Sequence, residues 1–95
     1  MVSFIVRFKF APEDRALIAE TLRILTPASR QESGCVSYVP HQLEEDPDTV
    51  LIYEQYRDAE ALAAHRETPH FQKYVTGIIF QKMLERSFEH LVALA

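Results

Sequence analysis

Every second residue from Val2 to Phe10 is apolar, and this period of two predicts a β-strand with one face in the core. Such a strand needs partner strands for its backbone groups and a second layer to cover its apolar face. Segments 36–43 and 49–57 are rich in β-branched and aromatic residues, and 87–94 alternates loosely. The sequence therefore predicts four strands in one sheet.

Helical patterns fill the gaps between these strands. After Pro12, apolar residues at three- and four-residue spacing predict an amphipathic helix that Pro27 is expected to kink or end. Asp58 is a favourable N-cap for a short helix, and Thr68 followed by Pro69 starts another. The order β-α-β-β-α-β, with its second helical part broken in two, predicts an α+β ferredoxin-like fold with helices on one face of the sheet.

The opposite face of the predicted sheet also carries apolar residues, among them Ile5, Leu51 and Tyr53. An exposed apolar face of a small sheet usually marks a protein interface. We therefore expect a homodimer in which two sheets pack face to face. Arg7 and Lys9 lie on the same face, so the interface is expected to be mixed rather than purely apolar.

Length and charge limit the partners that such a chain can have. Its 95 residues predict a single domain over 1–95. Ten Lys and Arg against fourteen Asp and Glu give a net charge of −4, which argues against nucleic acid and anionic membranes as partners. Cys35 is the only cysteine, and the N-terminus lacks the features of a secretory signal. These observations favour a cytoplasmic protein.

Cofactor motifs are missing from the sequence. Gly34 and Gly77 are the only glycines, so there is no phosphate-binding loop, dinucleotide fingerprint or nucleophile elbow. His65 and His70 are five residues apart with Pro69 between them, a spacing that does not favour a shared metal ion. The sequence predicts no cofactor and no metal.

Glu54 is the most informative acidic residue, because it stands in the middle of an apolar strand on the face that carries Ile52 and Tyr56. A buried carboxylate needs a partner or a raised pKa. His65, on the following helix, is the nearest candidate in sequence. A Glu–His pair in a cavity can move a proton near neutral pH, or it can simply hold the helix on the sheet.

Three short segments share an order and spacing with a known family. Residues 32–38 match E-x-G-C-x-x-Y, and residues 53–58 match Y-E-x-W-x-D with Tyr56 in place of the commoner Trp. Residues 61–71 match A-L-x-x-H-x-x-S-P-H-F with Thr68 in place of Ser. Over about residues 2–92 the chain resembles the antibiotic biosynthesis monooxygenase (ABM) family.

The resemblance implies a dimeric α+β barrel of two ferredoxin-like halves, each with a cavity between sheet and helices. Relatives oxidise phenols or quinols with O₂ without metal or flavin, so a small aromatic substrate is implied. On this basis His65 is the predicted proton acceptor and Glu54 the carboxylate that orients it. The predicted substrate-binding residues are Ile52, Tyr56, His70, Phe71 and Tyr74.

Departures from the family pattern leave other functions open. Polyketide-tailoring relatives use an Asn and a Trp at the positions of Ile52 and Tyr56. Haem-degrading relatives need an Asn and a Trp, and this chain has neither, so haem degradation is not expected. One alternative is a non-catalytic module that binds a small molecule or serves in a stress response. Another is a non-redox isomerase, for which Arg or Lys side chains should meet at the cavity mouth.

Overall fold

Four antiparallel strands form one sheet in the order β2-β3-β1-β4. In the computed structural model, which describes residues 1–95, they are β1 (Val2–Lys9), β2 (Cys35–Gln42), β3 (Thr49–Tyr56) and β4 (Glu85–Leu91). Val6 on β1 lies opposite Ile52 on β3 and Phe88 on β4. Pro40 lies on the edge strand β2, as predicted. One side of an edge strand has no partner strand, so a missing N–H on that side costs no hydrogen bond in the sheet.

Helices cover one face of this sheet, and the predicted ferredoxin-like fold is confirmed. They are α1 (Arg15–Arg30), α2 (Ala59–Arg66), the π-helical α3 (Phe71–Ile79) and α4 (Phe80–Lys82), which continues α3. Asp58 accepts a hydrogen bond from the Ala61 N–H at 2.8 Å, and the Thr68 hydroxyl accepts one from the Phe71 N–H at 3.2 Å, so both predicted caps form. None of these helices combines the length and apolarity needed to cross a lipid bilayer.

The two faces of the sheet differ as the alternation predicts. Phe4, Val6 and Ile52 point into the core and are at most 4% exposed. Ile5 and Tyr53, on the other face, stay partly exposed because no layer of this chain covers them.

Pro27 was expected to kink or end the first helix, and it does not end it, since α1 continues to Arg30. Proline removes one backbone donor from a helix, and Pro27 lies on its exposed side. Leu25 and Ser29, which flank it, are completely buried. Packing of the inner face therefore keeps the last turn helical despite the lost hydrogen bond.

The π-helical geometry of α3 changes which residues face inward. On an α-helix, the three-four spacing would place Tyr74 and Ile78 on one apolar stripe with Phe71 and Val75. The side chains that line the cavity are Phe71, Val75 and Ile79, each four residues from the next. Tyr74 and Ile78 are partly buried and pack against the core without lining the cavity. A π-helix closes its hydrogen bonds over five residues and has more residues per turn than an α-helix, which accounts for this wider spacing.

Gly34 brings the turn after α1 against α2. A Cβ at Gly34 would lie 2.3 Å from the Cβ of Ala61, whereas a Cβ at Gly77 would meet only the Gln72 carbonyl oxygen at 3.4 Å. We expect Gly34→Ala to lower the free energy of unfolding by about 1–3 kcal/mol through overpacking.

The matched control is Gly77→Ala, which should change that free energy by no more than about 1 kcal/mol. Urea denaturation of both variants measures the difference. Equal effects at the two positions would contradict the close approach at Ala61.

Candidate active site

A cavity of about 330 Å³ lies between the inner face of the sheet and helices α2 to α4. Most of its wall is apolar, with Phe4, Val6, Phe8, Ile52, Leu62, Phe71, Val75, Ile79 and Phe88 among the lining residues. Glu54, His65 and Tyr38 are the buried ionisable groups in this wall. An enclosed apolar space with a few convergent polar groups is the usual form of a small-molecule site.

Three side chains from separate parts of the chain meet beside this cavity. Glu32 follows α1, His65 lies on α2, and His70 immediately precedes α3. The Nδ1 atom of His65 lies 2.8 and 3.0 Å from the two carboxylate oxygens of Glu32, and the Nε2 atom of His70 lies 2.5 Å from Oε2. Because carboxylate oxygens accept hydrogen bonds, the proton of His65 is held on Nδ1 and its Nε2 carries the lone pair.

Glu54 faces the other nitrogen of His65. Its Oε1 atom accepts a hydrogen bond from the Tyr56 hydroxyl at 2.7 Å and lies 3.6 Å from the His65 Nε2. The latter distance exceeds that of a hydrogen bond. Glu32 therefore makes the hydrogen bond that the sequence analysis expected of Glu54. Glu54 lies beside the other ring nitrogen and accepts its hydrogen bond from Tyr56.

Burial shifts the pKa values of the two central groups in opposite directions. It raises the pKa of Glu54 to about 7, although the Tyr56 hydroxyl opposes the shift. It lowers the pKa of His65, against the opposing effect of the Glu32 hydrogen bond. At neutral pH His65 is thus a neutral imidazole, and the carboxyl group opposite its lone pair is close to half-protonated. This pair can take up and release a proton without a large energetic cost.

The predicted substrate-binding residues fall into two groups. Ile52 and Phe71 line the cavity, and the Phe71 ring lies edge-on to the His65 ring with centroids 5.1 Å apart. The side chains of Tyr56, Tyr74 and His70 are not part of the cavity wall. Tyr56 is fully buried with its ring centroid 4.9 Å from that of His65, and His70 contacts Glu32 instead.

Contrary to the argument from spacing, His65 and His70 do converge on one carboxylate. The α2 helix ends at Arg66, so the chain turns between the two histidines and both rings reach Glu32. Spacing rules for one continuous helix do not apply across such a turn.

Two arginines also belong to the cavity wall. Arg66 and Arg86 are exposed, and the Arg86 guanidinium lies 5.8 Å from the centre of the Phe80 ring. A larger groove of about 470 Å³ runs between α1 and β2, but none of the predicted site residues lines it. The buried acid–base groups therefore point to the smaller cavity as the candidate active site.

Comparison with known proteins shows the family of this chain. The ABM family, described as antibiotic biosynthesis monooxygenase, matches residues 1–77. The chain belongs to this family. The protein "Putative monooxygenase Rv0793" of Mycobacterium tuberculosis is 34% identical over 73 residues, which are 77% of this chain and 71% of that protein.

Solved structures of ABM relatives share the whole fold. The structure of Rv0793 superposes with a TM-score of 0.88 at 26% identity and covers 99% of this chain and 95% of its own. PA3566 from Pseudomonas aeruginosa gives a TM-score of 0.89 at 31% identity, over 99% of this chain and 94% of its own. The resemblance to the ABM family is thereby confirmed for the fold.

Glu32 is the site residue that sequence reasoning missed. It opens the ABM-like segment 32–38, so the motif marked its position without assigning it a role. Periodicity gives no signal there, since Glu32 lies in the turn between α1 and β2.

The raised pKa of Glu54 predicts a specific pH dependence of stability. A carboxyl group with a higher pKa in the folded state binds more protons there, so its contribution to stability is present at low pH and is lost as the pH rises through about 7. Between pH 5 and pH 8 the wild type should lose up to about 3 kcal/mol of unfolding free energy relative to Glu54→Gln. Urea denaturation at these pH values measures the difference, and parallel curves for both proteins would contradict the shift.

Proposed function

We propose that the protein is a cofactor-independent monooxygenase that oxidises a quinol or another phenolic small molecule with O₂. The observation that carries the proposal is the contact of His65 Nδ1 with Glu32, which leaves Nε2 of this cavity-lining imidazole to accept a proton. Membership of the ABM family supports a monooxygenase reaction. A cavity of about 330 Å³ suits an aromatic molecule of a few fused rings.

In the proposed reaction, His65 Nε2 takes the proton from a substrate hydroxyl and the resulting imidazolium is stabilised by Glu32. The electron-rich anion then reacts with O₂ itself. One oxygen atom is bonded to a substrate carbon, and the other leaves as water with two hydrogens from the substrate. The protein contributes deprotonation, orientation and the exclusion of bulk water by its apolar wall.

Glu54 is proposed to be the second group of the site that binds and releases a proton. Its carboxyl group lies 3.6 Å from Nε2, and its pKa of about 7 lets it accept or return a proton at neutral pH. Tyr56, whose hydroxyl keeps its proton because burial raises its pKa, fixes that carboxyl group from the other side.

Arg66 and Arg86 support an anionic substrate or intermediate in the same cavity. They also favour a second candidate, a non-redox isomerase of an anionic small molecule, in which His65 would move a proton between two carbons. Oxygen consumption separates the two reactions, because isomerisation proceeds without O₂.

Oxygen uptake by tag-free, metal-stripped protein with a panel of quinols and polyphenols tests the proposed activity. We expect uptake above the spontaneous rate, reduced by roughly 10²-fold or more in His65→Ala because the base is lost. Glu32→Gln should also lower the rate, since the amide no longer stabilises the imidazolium.

The control is His41→Ala, whose side chain is exposed on β2 and should leave the rate unchanged. Unchanged turnover in a folded His65→Ala variant would refute the role of the base. The absence of uptake with every compound would favour a module that only binds small molecules.

We further propose that the protein is a cytoplasmic homodimer formed through the outer face of the sheet. The partly exposed Ile5, Leu51 and Tyr53 on that face support a two-fold contact with a second copy. A single unpaired cysteine suits a reducing compartment.

Multi-angle light scattering at micromolar concentration should give twice the 11.0 kDa chain mass. Tyr53→Glu should shift the mass toward one chain, because it places a charge in the centre of the contact. A wild-type species of one chain mass would contradict the dimer.

A further inference from the structure

We propose that Glu32, His65 and His70 form a binding site for a divalent transition-metal ion of the Zn²⁺ class. The three residues offer two imidazole nitrogens and one carboxylate oxygen, all within 4.8 Å of one another. Two histidines and a carboxylate are a donor set that suits Zn²⁺, Co²⁺ and related ions. In these sites a fourth position remains free for water or another ligand.

The three donor atoms lie near one another and would adjust their separations to hold an ion. Donor atoms around a tetrahedral Zn²⁺ at about 2.0–2.1 Å lie roughly 3.3 Å apart. The corresponding distances here are 2.8 Å from His65 Nδ1 and 2.5 Å from His70 Nε2 to the same Glu32 oxygen. The two contacts to Glu32 would lengthen and the two imidazole nitrogens, which lie within 4.8 Å of each other, would move closer together, with the metal replacing the hydrogen-bonded protons.

A fourth residue is already placed to support the ion from outside. When Nδ1 of His65 binds a metal, the ring proton moves to Nε2, which lies 3.6 Å from the Glu54 carboxylate. Metal-binding histidines usually donate their second N–H to such a carboxylate, and this contact strengthens metal binding. The His70 side chain is 20% exposed, so the site opens to solvent on that side.

Occupancy would have a consequence that rests on the proposed function. A metal on Nδ1 forces the proton onto Nε2, and the nitrogen that faces the cavity is then no longer a base. Zn²⁺ would therefore inhibit the oxidation reversibly, as a competitor of the proton that Glu32 normally holds on Nδ1.

Calorimetric titration of tag-free, chelator-treated protein with Zn²⁺ tests the site, with Co²⁺ and its visible absorption spectrum as a second probe. We expect one ion per chain and a tetrahedral or five-coordinate Co²⁺ spectrum. His70→Ala and Glu32→Gln should each weaken Zn²⁺ binding at least about 10-fold, because each removes one of three ligands. His41→Ala is the matched control and should bind as the wild type does.

Circular dichroism checks that each variant is folded. If Glu32→Gln does not fold, His70→Ala still tests the site, because His70 is the most exposed of the three ligands. Absence of Zn²⁺ binding, or binding that His70→Ala leaves unchanged, would overturn the proposal. Binding is measured without substrate, so a protein that binds Zn²⁺ but oxidises no quinol would support the metal site and refute the proposed activity. Turnover without Zn²⁺ binding would support the proposed activity and refute the metal site.

Discussion

The Glu32 carboxylate joins parts of the chain that are distant in sequence. It receives hydrogen bonds from His65 and His70, so it connects the end of α1 with α2 and with the start of α3. A charged acceptor shared by two imidazoles forms stronger hydrogen bonds than neutral groups would, and here it is largely shielded from water. The position of α2 over the sheet, and hence one wall of the cavity, depends on this contact and on the close approach of Gly34 to Ala61.

The same contact defines the chemistry of the cavity. By holding the proton on Nδ1, Glu32 directs the lone pair of His65 toward Glu54 and the apolar space. Burial then raises the pKa of Glu54 to about 7 and lowers the pKa of His65. A carboxyl group that titrates near neutral pH beside a neutral imidazole can move a proton without the help of a bound cofactor. Those nitrogen and oxygen atoms also have the character of metal ligands, so proton and metal compete for one site.

Much of the fold follows from local patterns in the sequence. The period of two in β1 and β3 correctly assigned Phe4, Val6 and Ile52 to the core, and the caps at Asp58 and Thr68 were read correctly. Pro27 was misjudged because the packing of neighbouring side chains outweighed a local preference.

The site was less predictable, because it depends on contacts across the chain. His65 and Glu54 were predicted from one buried strand and one helix, but Glu32 and His65 are 33 positions apart in the sequence, and no local pattern relates them. The sequence pattern also did not predict the π-helical geometry of α3, or that Tyr74 would lie outside the cavity wall.

The elements around the cavity contribute different kinds of side chain. The ionisable groups of the candidate site come from the turn after α1, from α2 and from β3, whereas Phe71, Val75 and Ile79 of α3 supply one apolar wall. Substitutions on α3 can thus reshape the space for a differently sized molecule while leaving the acid–base groups in place. In such an architecture the identity of the substrate can diverge between relatives faster than the chemistry applied to it.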